Sequence, residues 1–244
     1  MTNDLNIPHL DKNQGRVEII ITEDGSHSLF SPELNETYHS VHGAVQESTH
    51  VFIKKGLDYL LERSNPVDIH ILEIGFGTGL NTLLTLHQAL HFENKIHYTT
   101  LDTFPLEADV WSKLNYTDSS KGLKNYFEDI HASPWEKWTS IITNFNLLKL
   151  NAKLELINLE QSHYNLIFFD AFAPSKQPGM WEFQILKKIS ESLKPGGVFV
   201  TYCAKGQLKR DLKNLGLEVE TLPGPPGKKE MVRATKFQDM EPRT

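Results

Sequence analysis

Ile71-Leu72-Glu73-Ile74-Gly75-Phe76-Gly77-Thr78-Gly79-Leu80 constrains this chain more than any other stretch. Ile69 to Ile74 reads as a short buried strand, and Asn81 to Ala89, with Leu83, Leu84 and Leu86, reads as the helix that follows. Glycine at 75, 77 and 79 lets the backbone approach a ligand with no Cβ in the way and permits positive φ. A strand, a glycine turn and a helix in this order open an α/β fold that holds a nucleoside-bearing cofactor at the carboxyl edge of its sheet. The dinucleotide fingerprint needs a third glycine where Leu80 stands, and no Gly-Lys-Ser/Thr follows to make a phosphate loop, so both of those readings are disfavoured. A merely tight strand-to-helix turn is the competing structural reading.

A second β-rich run, Ile96 to Leu101, is closed by Asp102. A carboxylate at that strand end accepts both hydrogen bonds of a ribose diol, although an aspartate near Pro105 also suits a cap or a turn. Further strands are expected at 154–158, 164–169 and 197–203, with Leu217–Leu222 and Met231–Thr235 as a terminal pair. Lys194-Pro195-Gly196-Gly197 reads as a turn before the strand that starts at Val198. Several runs look buried on both faces, which predicts a mostly parallel sheet with helices on both sides. Residues 104–150 hold Trp111, Tyr116, Tyr126, Phe127, Trp135 and Trp138 and are expected to pack as a helical insert. Ahead of the first strand, Val17–Thr22 and His27–Phe30 read as a β-hairpin turning at Asp24-Gly25, and Gln46–Leu61 reads as an amphipathic helix. The expected division is an N-terminal, substrate-side extension over 1–56 and a body over 57–244.

The 244 residues suffice for one α/β domain with a small appendage. The single cysteine, Cys203, excludes an intramolecular disulfide and a multi-cysteine metal site, and no metal is expected. No segment is long enough to cross a membrane and the polar start Met1–Asn6 is no signal peptide, so a cytoplasmic protein without a membrane partner is expected. Net charge is -6, but residues 176–244 hold 13 Lys+Arg against 8 Asp+Glu. That local excess offers a basic face to phosphates, or is ordinary solvated surface.

Asn165-Leu166-Ile167-Phe168-Phe169-Asp170-Ala171-Phe172-Ala173-Pro174 puts a carboxylate at the end of an apolar strand, at the edge where open α/β sheets bind ligands. The Glu73-x-Gly75-x-Gly77-x-Gly79 turn resembles motif I of S-adenosylmethionine-dependent methyltransferases. The longer run from Phe169 through Lys176-Gln177-Pro178-Gly179-Met180-Trp181 resembles the methyltransferase domain of the enzymes that complete 5-methylaminomethyl-2-thiouridine at the tRNA wobble position. Gly75-Phe76-Gly77-Thr78-Gly79-Leu80-Asn81, Phe104-Pro105-Leu106, Lys194-Pro195-Gly196-Gly197 and Gly227-Lys228-Lys229-Glu230-Met231 are similar to further motifs of that family. The residue at Asp102 departs from it, being commonly Glu there.

The resemblance implies a Rossmann-like class I fold: a mostly parallel, seven-stranded sheet with a terminal antiparallel strand, plus the N-terminal hairpin. It implies S-adenosylmethionine as cofactor, tRNA as partner, and methyl transfer to the primary amine of 5-aminomethyl-(2-thio)uridine. A separate oxidase, or the machinery that forms the aminomethyl group, then acts upstream. Oligomeric state is left open. A small-molecule N- or O-methyltransferase or an aminopropyltransferase on the same fold is the alternative.

The expected cofactor-binding residues are Glu73, Gly75, Phe76, Gly77, Thr78, Gly79, Asn81, Asp102, Glu160 and Asp170. An alkylammonium with a lysine-like pKa is neutral in only about one molecule in a few thousand at pH 7, so the site must bind or generate the free amine. Asp170 is the candidate catalytic residue, as a proton acceptor or as a group that only orients the amine. Tyr38 and His39, in a polar loop with Ser40 and His42, are candidates for holding a splayed-out base, with Phe172, Pro174 and Met180. Trp181 lines that pocket or anchors the helix that begins beside it. Lys205, Lys228 and Lys229, with Lys209 and Arg210, are candidates for phosphate contacts.

Overall fold

In the computed structural model the described residues are 17–118 and 121–237, so the polar start Met1–Asn6 lies outside them. The main sheet has strands β4 (Asp68–Ile74), β5 (Lys95–Asp102), β6 (Thr139–Ile142), β7 (Phe145–Asn151), β8 (Tyr164–Phe169), β9 (Leu193–Thr201), β10 (Leu217–Pro223) and β11 (Glu230–Lys236). Their spatial order is β10-β11-β9-β8-β4-β5-β7-β6. The pairings β7–β5, β5–β4, β4–β8 and β8–β9 are parallel, whereas β11 is antiparallel to both its neighbours and β6 is antiparallel to β7. From β4 the chain winds outward through β5 to β7, then returns to β8 and winds the other way. Between β4 and β8 the winding reverses, and the carboxyl ends of the strands open into a crevice.

Alternation along the central strands feeds two cores. Ile69 and Ile71 of β4 and Leu166 and Phe168 of β8 pack on one side, with Val51, Phe52 and Leu83. Leu72 and Ile74, with Ile167 and Phe169, pack on the other against Leu186, Ile189 and Leu212. Leu166 to Phe169 are all fully buried. Each such side chain contributes about 1.5–3 kcal/mol relative to exposure, which fixes β8 firmly and with it the position of Asp170.

Ahead of the sheet lies a small antiparallel sheet of β1 (Glu18–Ile21), β2 (His27–Ser31) and β3 (Glu36–Thr37), one strand more than the expected hairpin. It leads into a continuous helical run, α1 (residues 44–63), wound at the wider π pitch over Thr49–Asp58. A Cβ at Gly56 would stand 3.0 Å from Val200 and 3.1 Å from Phe168, so glycine lets α1 press directly on the sheet. The expected boundary at residue 56 therefore falls inside an element packed on the body. The remaining helices are α2 (Leu80–Ala89), α3 (Ala108–Trp111), α4 (Lys124–Ala132), α5 (Phe183–Ser192) and α6 (Gly206–Asn214).

Three expectations need correction. The strand expected at 154–158 is a turn, and the third parallel strand is β7, whose inward residues are Phe145, Leu147 and Lys149. A buried lysine hid the alternation. Its ammonium donates to the carbonyls of Ile130 (2.8 Å) and His131 (2.7 Å), satisfying the carboxyl end of α4. Residues 104–150 are consequently a helical insert only as far as α4, after which β6 and β7 follow, and β6 raises the sheet from seven strands to eight. Finally, Lys194-Pro195-Gly196-Gly197 lies within β9, at a register shift against β8, instead of forming a turn before it. Gly196, at φ 75, supplies the backbone state that this irregularity requires.

Candidate active site

The glycine turn sits where β4 ends. Gly75 and Phe76 both donate their N–H to the Leu101 carbonyl at 3.0 Å, which ties the turn to β5. Gly75 has φ 94, and a Cβ there would meet the Asp170 carbonyl at 2.7 Å; only glycine lets the ends of β4 and β8 come this close. Gly77, at φ 49, lies under the Tyr38 ring, 3.2 Å from where a Cβ would stand. Its N–H donates to Asp102 Oδ2 at 2.8 Å, while Phe104 N–H donates to Asp102 Oδ1 at 2.8 Å. A carboxylate has about four lone-pair sites, so Asp102 keeps acceptor capacity for a diol. Burial raises its pKa above the ordinary value, opposed by the N–H groups of Phe104 and Gly77.

Asp170 closes β8. Its N–H donates to the Ile74 carbonyl at 3.0 Å, and its Oδ2 accepts from Asn81 Nδ2 at 2.8 Å. Burial pushes the Asp170 carboxyl up to about 7, the charge of Glu47 acts in the same direction, and the Asn81 hydrogen bond and Lys228 oppose it. Asn81 Oδ1 is buried with no hydrogen-bond partner among the described residues.

One cavity of about 900 Å³ joins these parts. Gly75, Phe76, Gly77, Thr78, Asn81 and Asp102 line it together with Asp170, Phe172, Met180, Tyr38, His39 and Lys228. Tyr38 and Phe172 meet edge to face at 5.1 Å. His39 is buried, its Nε2 lies 2.8 Å from Thr78 Oγ1, and burial pulls its pKa down to about 4, so the ring is neutral near pH 7.

Sequence reasoning missed Glu47 and Tyr202, which also line the cavity. Glu47 is only 4% exposed; its Oε2 accepts from Ser40 N–H at 2.7 Å and its Oε1 pairs with the Lys228 ammonium. The Lys228 Nζ stands 3.8 Å from the centroid of the Tyr202 ring, whose hydroxyl donates to the Ala171 carbonyl at 2.9 Å. A signal for Glu47 existed: it shares the inward stripe of α1 with Ala44, Ser48 and Val51, an unusual place for a carboxylate.

Other expected residues lie outside the cavity lining. Glu73 is fully buried beneath the turn, where Oε2 accepts from Thr100 Oγ1 (2.7 Å) and Thr82 Oγ1 (3.1 Å), and burial pushes its pKa up to about 8. Gly79, at φ 73, faces His131, which donates to the Thr78 carbonyl at 3.2 Å. Trp181 donates its indole N–H to the Phe172 carbonyl at 2.8 Å and packs on Phe169, bracing the loop that carries Pro174. Lys205 and Lys229 are exposed, Lys209 pairs with Glu230, and Arg210 donates to Gln207.

Glu160 is a correction. It is exposed, lies 3.1 Å from His163, and sits just before β8 begins, at the end of that strand away from Asp170. With the third strand at 154–158 it would have stood at the carboxyl edge. With the strand at β7, the residues following it at that edge are Ala152 to Glu155, and these do line the cavity. Among the described residues, no group of three or more His, Cys, Asp or Glu side chains is arranged to hold a metal ion, and no helix is long and apolar enough to cross a membrane.

The glycine cradle and the residual capacity of Asp102 fit a cofactor that carries a ribose. Comparison with known proteins agrees. Residues 119–237 match the model of a family described as S-adenosyl-L-methionine-dependent methyltransferase. The chain is 28% identical over 222 residues to the tRNA 5-methylaminomethyl-2-thiouridine biosynthesis bifunctional protein MnmC of Leptospira interrogans, covering 83% of this chain and 33% of that protein. It is 31% identical over 233 residues to the protein of the same name from Pseudoalteromonas atlantica, covering 85% of this chain and 32% of that one. The chain thus spans about a third of the length of the curated relatives it matches. Among solved structures, MnmC2 from Aquifex aeolicus superposes with a TM-score of 0.76 at 22% identity, over 96% of this chain and 74% of that one. Spermidine synthase from Thermotoga maritima gives 0.51 at 13%, over 93% and 75%. The fold is that of the Rossmann-like S-adenosylmethionine-dependent methyltransferases.

Proposed function

We propose that this chain transfers a methyl group from S-adenosylmethionine to the primary amine of 5-aminomethyl-(2-thio)uridine at the tRNA wobble position. The observation that carries this reading is the joining, in one cavity, of the glycine turn and Asp102 with a buried carboxylate pair, Asp170 and Glu47. Gly75 and Gly77 give the cofactor backbone to lie against, and Asp102 takes its ribose. Bound there, the cofactor supplies an electrophilic methyl group on its sulfonium sulfur.

The protein's own work is to deliver a free amine. Asp170, with its pKa near neutrality, accepts a proton from the alkylammonium, leaving the nitrogen lone pair available. Asn81 holds Oδ2 of that carboxylate in place. Tyr38 and Phe172 offer faces and edges against which a uracil ring can lie, and neutral His39 adds no competing charge. Most of the acceleration comes from holding amine and donor in line, because the donor is already activated. The acceptor amine must come from an enzyme that installs or unmasks an aminomethyl group on uridine, and a separate oxidase is one source.

Nucleoside mass spectrometry of tRNA after incubation with the protein and labelled cofactor tests the reading. The expected result is label in 5-methylaminomethyl-(2-thio)uridine, and only in tRNA that already carries the aminomethyl group. Label in small amines without tRNA, or transfer of an aminopropyl group from decarboxylated cofactor, would replace it with the corresponding alternative.

A further inference from the structure

The corner made by Glu47, Tyr202 and Lys228 is chemically a receptor for a primary alkylammonium. Glu47 supplies a buried carboxylate whose Oε2 is held by the Ser40 N–H. Tyr202 supplies an aromatic face, fixed because its hydroxyl is fastened to the Ala171 carbonyl, next to Asp170. An ammonium over such a face gains a cation–π contribution beyond its ion pair. The group seated there is the tip of Lys228, and the last two heavy atoms of a lysine, a methylene and an ammonium nitrogen, are those of an aminomethyl group.

We infer that Glu47 and the Tyr202 ring form the binding site for the acceptor's ammonium, and that Lys228 is an internal competitor displaced when the acceptor enters. This rests on the amine-methylating function proposed above. The exchange is balanced in charge: one alkylammonium leaves Glu47 and another arrives, so this buried carboxylate is not left unpaired in a poorly solvated place. The route out exists. The Lys228 side chain is 31% exposed and ends a flexible four-carbon stem, while its backbone is held by a turn in which Lys228 N–H donates to the Pro225 carbonyl at 2.9 Å. Glu47, Tyr202 and Lys228 line the same cavity as Asp170, the proposed proton acceptor. A purely structural ion pair would have no need of a fixed aromatic face inside the reaction cavity.

The test is the ratio of dissociation constants for one tRNA with plain uridine and with 5-aminomethyluridine at the wobble position, measured on the full chain with S-adenosylhomocysteine present. The ratio cancels phosphate contacts and leaves the contribution of the amine. Wild-type protein should prefer the aminomethylated tRNA by about tenfold or more. Glu47→Gln, which retains an acceptor for Ser40 N–H, should bring the ratio close to one. Tyr202→Leu, which removes the face and leaves both charges, should reduce it. Lys228→Met, which removes only the competitor's charge, should widen it. A ratio unchanged in Glu47→Gln, or one that collapses in Lys228→Met as it does in Glu47→Gln, overturns the inference while methyl transfer by the wild type upholds the function. Wild-type protein that methylates no aminomethylated tRNA overturns both.

Discussion

Two buried carboxyls at the ends of neighbouring strands are given different tasks by their surroundings. Asp170 faces the cavity with its pKa near 7 and can take up and release a proton at physiological pH, whereas Glu73 lies under the glycine turn. Because Asp170 is raised, its base form is lost as pH falls, so kcat/KM should climb with pH through about 7. Asp170→Asn should lower kcat by about 10²- to 10⁴-fold and remove that inflection, with cofactor affinity by calorimetry changed only a few-fold. Equal activity in the variant would exclude Asp170 from proton transfer. Glu73 makes the opposite kind of prediction, one of stability. Its folded pKa of about 8 lies above the 4.5 of a free glutamate, so the fold holds a proton the unfolded chain has lost, and its contribution declines as pH rises through that window. Glu73→Gln should be the more stable protein at about pH 9, by on the order of 5 kcal/mol in urea titrations, and should lose that advantage near pH 5.

Among the elements, the strand-to-helix turn shows how a glycine's neighbour decides what a substitution does. Gly25 and Gly75 both have positive φ, at 82 and 94, but a Cβ at Gly25 meets nothing within 4 Å. Gly25→Ala should cost about 1–2 kcal/mol through backbone strain alone and leave cofactor binding intact. Gly75→Ala adds a clash with the Asp170 backbone, so both stability and cofactor affinity should fall; an unchanged affinity would separate the turn from the cofactor. The turn was legible in the sequence because its signals are local: apolar run, glycines, carboxylate at a strand end. The amine corner was not, because Glu47 and Lys228 lie 181 residues apart and only the completed sheet brings them together. Lys149 misled for a related reason: an inward-facing charge whose partners are carbonyls of another element cannot be told from a surface lysine by periodicity.

For the whole molecule, buried titratable groups impose opposing slopes on stability. Glu73 and Asp170 hold protons in the fold that unfolded carboxylates release near 4.5 and 3.8, so stability rises as pH falls from about 8. His39 and His70, pulled down to about 4, and His131, pulled down to about 3, stay neutral in the fold while unfolded histidines protonate near 6.5. Below 6.5 these histidines oppose the raised carboxyls, which include Asp102, so the urea midpoint should fall most steeply with rising pH between about 6.5 and 8. A midpoint that rises steadily to pH 8 would show that the carboxyls are not protonated in the fold. The position of β11 between β9 and β10 carries one more consequence. A nascent chain emerging from the ribosome acquires its glycine turn and Asp170 before Lys228 and the strand that fills the sheet. Until the β10–β11 hairpin inserts, an incomplete polypeptide has the glycine turn and Asp170 in place while Glu47 still lacks its Lys228 partner, so the two parts of the cavity are completed at different times in the life of each molecule.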